Sequence, residues 1–165
     1  MRKQSAFLLA ESSAPLNNSK ISSESPKYAP DAWGSPFPLL HTAVGFGCKV
    51  YVKLLIPMNA DVNNVGSQGL TPLHFAWRKD IAALLIAKGA NINATDDKSL
   101  TALHYKAQIN TKEGKARLYL KNILETSEVL IFKGANINAK TALAYAKSIN
   151  FQEMIRLLKS YGGQE

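Results

Sequence analysis

Thr71-Pro72-Leu73-His74-Phe75-Ala76, followed by Lys88-Gly89-Ala90-Asn91-Ile92-Asn93, is the stretch whose reading decides the architecture. Thr71 suits an N-cap, because its hydroxyl can satisfy an orphan backbone N–H, and Pro72 suits the first helical position, where a missing N–H costs nothing. Leu73 and Ala76 then share one helical face. Ile81, Leu84 and Leu85 repeat the i, i+3, i+4 spacing of a second amphipathic helix. Gly89 stands where that helix ends in a left-handed residue. The result is a helix–turn–helix unit of about thirty residues, too small to bury its own apolar face, so neighbours must stack on it.

The chain supplies those neighbours. Upstream, Pro38-Leu39-Leu40-His41-Thr42-Ala43 leads through Val52-Lys53-Leu54-Leu55-Ile56 to Asn59-Ala60-Asp61-Val62-Asn63. Downstream, Thr101-Ala102-Leu103-His104 leads to Lys133-Gly134-Ala135-Asn136-Ile137-Asn138, and a last unit runs from Thr141-Ala142-Leu143 to Leu157-Leu158-Lys159. The step from Pro38 to Thr71 is 33 residues. On this period and these motifs the sequence resembles the ankyrin-repeat family over residues 34–162. The resemblance implies a mainly α fold: a solenoid of stacked helix–turn–helix units with short β-hairpin fingers. It divides the chain into a tail, 1–33, and repeats at 34–66, 67–96, 97–138 and 139–163.

Composition narrows the function classes. No run approaches the ~18 apolar residues of a membrane span. The apolar run Ala6–Ala10 is shorter than a signal-peptide core and is followed at once by Glu11-Ser12-Ser13, so it reads as uncleaved. The single cysteine, Cys48, excludes an internal disulfide and a cysteine zinc cluster, which points to a reducing, cytoplasmic compartment. The net charge of +8 is uneven: residues 100–140 carry +4, and the remaining four segments +1 each. That pattern disfavours nucleic acid as the partner of the whole array. The tail is rich in Ser, Pro, Asn and Lys and reads as disordered, with Tyr28–Trp33 placed to cap part of the first repeat.

The repeats also depart from the pattern. Pro38 removes the hydroxyl cap of repeat one, and Asn59 replaces the helix-ending glycine. Repeat two lacks three residues after Trp77-Arg78-Lys79-Asp80, which predicts a short first helix or turn. Repeat three puts Lys106 where a small buried Ala belongs, so either the helix shifts or Lys106 snorkels. It also inserts about twelve residues, Thr111–Asn122, and Ala116, Leu120, Ile123 and Leu124 extend its second helix. These irregularities keep a degenerate array without a specific partner among the readings.

His41, His74 and His104 occupy one motif position. One histidine per stacked repeat does not converge on a metal ion, and in the family this residue hydrogen-bonds backbone near the finger. His41, Thr71, Pro72, His74, Gly89, Thr101, His104, Gly134 and Thr141 are therefore structural. No catalytic set or phosphate loop stands out, and the chain reads as a non-enzymatic adaptor, a monomer without cofactor or metal. The family implies partner protein binding on a concave face, here Phe37, Phe46, Ser67, Gln68, Leu70, Trp77, Arg78, Lys79, Asp97, Lys98, Leu100 and Gln108. Leu70 and Leu100 hold equivalent finger positions, and with Trp77 and Arg78 nearby they have the makings of a hot spot. The basic insertion, Lys112, Lys115, Arg117 and Lys121, is the alternative surface, for an acidic partner or nucleic acid. The Lys-Gly-Ala-Asn-Ile-Asn form is similar to ankyrin proteins of intracellular bacteria and protists, some delivered into host cells. That likeness fixes neither source nor secretion.

Overall fold

A computed structural model describes residues 38–108, 117–137 and 142–163. The tail 1–33, Phe37, Lys112, Lys115, Thr141 and the side chain of Arg117 lie outside the described residues. Among the described residues the helices are α1 (Leu39–Gly45), α2 (Lys49–Leu55), α3 (Pro72–Phe75), α4 (Lys79–Ala87), α5 (Ala102–Ala107), α6 (Arg117–Phe132), α7 (Ala142–Ser148) and α8 (Gln152–Ser160).

Local chemistry sets their ends. Thr71 is the N-cap of α3 with Pro72 inside its first turn, and Thr101 caps α5. Pro38 precedes α1 without any side-chain cap. The second helix of each pair ends in a left-handed residue: Asn59 at φ 64°, Gly89 at 90°, Gly134 at 98° and Gly162 at 87°. Past each, a 6→1 bond closes the helix, as from Ala90 N–H to Leu85 O at 3.0 Å and from Ala135 N–H to Leu130 O at 2.9 Å. The insertion lengthens one second helix: α6 has 16 residues against 9 in α4.

The helices stack in two rows. α1, α3, α5 and α7 pack successively on one another, and so do α2, α4, α6 and α8. Between the rows lies one apolar spine that includes Leu40, Leu73, Ile81, Leu85, Leu103, Ile123, Leu130, Met154 and Leu158. Each such side chain contributes roughly 1.5–3 kcal/mol by leaving water. Asparagines staple consecutive repeats. Asn63 donates from Nδ2 to Gly89 O (2.9 Å) and accepts at Oδ1 from Asn91 N–H (2.7 Å). Asn93 does the same with Gly134 O (3.1 Å) and Asn136 N–H (2.8 Å).

The fingers take a different form from the expected β-hairpins. No strand is present among the described residues, and the two described fingers are turns closed by a single bond in the ladder sense. Those bonds run from Gly66 N–H to Leu70 O at 2.8 Å and from Asp96 N–H to Leu100 O at 3.0 Å.

Candidate functional site

The fingertips are built from beneath. His41 Nε2 lies 2.9 Å from Leu70 O, and His74 Nε2 lies 3.0 Å from Leu100 O. At His74 the tautomer follows from its other partner. Nδ1 accepts the Thr71 N–H at 3.0 Å, so Nε2 carries the proton and donates to Leu100 O. Each histidine thus anchors the finger of the next repeat to a first helix. Burial lowers the pKa of both rings, against the opposing effect of those carbonyls, and favours the neutral form. Thr101 N–H donates in the same way to His104 Nδ1, at 2.9 Å.

Asp96 organises the finger before α5. Its Oδ1 accepts the N–H groups of Lys98 (2.9 Å) and Leu100 (2.8 Å), and its Oδ2 accepts the Tyr105 hydroxyl at 2.7 Å. Burial works to raise this carboxyl, but the three hydrogen bonds outweigh it and hold it below the usual range. The same burial and bond push the Tyr105 phenol up to about 12. Successive fingers touch: Asp97 N–H donates to Gln68 O at 3.1 Å. This approach requires Gly69, at φ 75°, where a Cβ would stand 2.7 Å from the Asp97 nitrogen. At the tips Gln68 and Ser99 both hold φ 61°, a strained setting for residues with side chains.

This arrangement sorts the sequence-derived candidates. Ser67, Gln68, Asp97 and Lys98 are exposed at the tips. Leu70 and Leu100 are buried, with their carbonyls tied to His41 and His74, which corrects their assignment to an exposed binding surface. Gln108 is half-buried at the end of α5. The sequence reading missed Asp96, an ordinary finger aspartate by type, and the aromatics Phe75, Tyr105 and Tyr145. Those three are half-buried at one motif position of successive repeats, a register that was itself legible.

Trp77, Arg78 and Lys79 are not on a first helix, because α3 ends at Phe75 and the chain turns extended at Ala76. Trp77 donates from Nε1 to Gly45 O at 3.0 Å and packs its ring on Tyr119, 5.4 Å between centroids. Arg78 grips Asp80 through two bonds of 3.1 Å, and Lys49 reaches the same carboxylate at 3.0 Å. Lys79 pairs with Glu125 at 2.8 Å, and Lys121 approaches that glutamate at 3.7 Å. These groups join repeats one to three at the turn between paired helices. Phe46, at the end of α1 on that same edge, is exposed.

Lys106 corrects a second expectation. It does not snorkel; it is 3% exposed, and its Nζ donates to His74 O at 2.9 Å. That carbonyl lacks the amide that another turn of α3 would have provided. Thr126 Oγ1 likewise donates to Trp77 O at 3.1 Å. Two side chains of repeat three therefore satisfy carbonyls within and just beyond the shortened helix of repeat two. Burial pulls the Lys106 amine down to about 7.

Residues 31–96 match the family profile of ankyrin repeats (3 copies). Over these residues the chain carries ankyrin repeats. No curated protein matches it. Ankyrin repeats are generally protein–protein interaction modules and typically non-enzymatic. The match to the ankyrin profile ends just before the repeat that carries Lys106 and the insertion. Among the described residues, no helix is long and apolar enough to cross a membrane.

Proposed function

We propose that the chain is a non-enzymatic adaptor, and that the two helix rows form one continuous four-repeat solenoid over residues 34–163 whose finger edge grips another protein. The carrying observation is that Ser67, Gln68, Asp97 and Lys98 are exposed on fingers held rigid by His41, His74, Asp96 and the Gly69–Asp97 contact. Strained backbone at Gln68 and Ser99 fits tips fixed in advance for recognition, which reduces the entropy lost on binding. Phe75, Tyr105 and Tyr145 supply half-buried aromatic surface on successive first helices, the residue class that dominates interface energetics. The adaptor acts as a monomer in a reducing compartment, and its effect comes through its partner.

The test is affinity capture with the full chain and with Gln68→Ala, Asp97→Ala, Lys98→Ala combined. These side chains are exposed, so the triple variant keeps its helical circular dichroism and unfolding midpoint. Loss of the wild-type set of captured proteins is expected. Recovery of the same set by the folded variant refutes the finger edge as the binding surface.

A further inference from the structure

The second helices differ along the face that, in repeats two and three, carries the carboxylates paired to the preceding unit. Counting back from the left-handed residue that ends each unit, the ninth position is Val50, Asp80, Glu125 and Glu153 in repeats one to four. The fifth is Leu54, Leu84, Val129 and Leu157, and the first is Met58, Lys88, Lys133 and Tyr161. Repeat one is apolar where three other repeats carry a carboxylate, and again where two carry lysine. Val50, Leu54 and Met58 lie along one face of α2 and the turn after it, exposed at 70%, 55% and 57%. Leu84, Val129 and Leu157, the counterparts of Leu54, are all partly covered. An apolar stripe on a helix whose sisters are charged there marks a face that is normally covered.

We propose that residues 28–37 of the same chain cover it, with Tyr28, Trp33 and Phe37 packing on Val50, Leu54 and Met58. Chain order favours this occupant. Each later second helix packs on the second helix of the preceding unit, and what precedes α1 and α2 is this segment. Reach allows it: ten extended residues span up to about 35 Å, and α1, where the segment joins, packs directly on α2. Size argues against a second copy. Three side chains fall far short of the roughly 800 Å² per partner of a stable interface. A tethered segment needs no such area, because its effective concentration is on the order of millimolar. The stripe lies on the second-helix row, away from the fingers, so this inference stands or falls independently of the proposed partner surface.

Fluorine NMR of the full chain labelled with 5-fluorotryptophan tests it, since Trp33 and Trp77 are the two tryptophans. Trp33→Phe assigns the resonances. In the wild-type chain the Trp33 signal is expected away from the free fluorotryptophan shift. In Val50→Glu with Leu54→Glu it moves to that shift, while Trp77 stays in place and reports an intact fold. Leu54→Asn alone gives a smaller movement in the same direction and serves if the double variant unfolds. Sedimentation equilibrium gives the mass of one chain for all of them. A wild-type Trp33 signal already at the free shift overturns the proposal. So does a wild-type dimer that the substitutions dissociate, which makes a second copy the occupant.

Discussion

Replacing Lys106 with Met keeps the length of the side chain and removes its donor and its charge, and the effect should change sign with pH. In the folded chain burial holds the amine at about 7, against 10.5 for the ordinary side chain. At ~1.36 kcal/mol per pH unit, that difference corresponds to about 5 kcal/mol. The sign follows from proton binding. Between pH 7 and 10.5 the unfolded chain binds the extra proton, so wild-type stability rises with pH in that window. Below pH 7 both states are protonated and the whole cost of the buried charge is present. Met at this position escapes that cost but leaves His74 O without its donor, at 2.9 Å in the wild type, a loss of about 1–3 kcal/mol. At pH 6 the variant is therefore more stable by roughly 2–4 kcal/mol, and at pH 10.5 less stable by about 1–3 kcal/mol. Urea unfolding of both proteins from pH 6 to 10.5 reads this directly. His74, whose pKa the Lys106 ammonium also lowers, is relieved of that opposition in the variant, which adds to the variant's advantage near pH 6. A wild-type-minus-variant stability that is flat with pH, or that never changes sign, refutes the buried amine.

Other outcomes follow from the same geometry. His41 and His74 have pKa values lowered below 6.5, so stability should fall as pH drops from 6.5 through the folded values, measured by urea midpoints; a flat profile there counts against burial of both rings. Gly89→Ala meets no atom within 4 Å but forces a side chain to φ 90°, costing about 1–2 kcal/mol, whereas Gly69→Ala adds a collision with Asp97 and loses roughly 2–5 kcal/mol. Equal losses in thermal unfolding remove the claim that the fingers touch. Asn93→Ala deletes both bonds from repeat two to Gly134 and Asn136 and should cost about 1–2 kcal/mol in urea, and no change would make that staple ornamental.

The repeat architecture was legible because it is written in local chemistry. Thr71, Pro72 and Gly89 act within a turn or two of themselves, and the helices they delimit appear where the motif puts them. The departures were visible too, but singly: a short repeat two and a lysine in an alanine's place each look like decay. Their relation is spatial, across 32 residues from His74 to Lys106, and no local rule links them. The binding candidates fared worst for the same reason. Leu70 and Leu100 stand at finger positions in the sequence, and only the path of the finger shows that they are buried. Trp77 and Arg78 sit close to the motif helix in sequence, yet the early end of α3 carries them to the opposite edge.

The bonds from Lys106 to His74 O and from Thr126 to Trp77 O make the middle of the array indivisible. Ordinary solenoid units are interchangeable, and a generic copy can be spliced in or cut out between any two of them. Here a spliced copy would strand an amine in an oily seam and leave two carbonyls dry and bare. This junction is where the chain has stopped being modular, and duplication or recombination that preserves it must carry both units together.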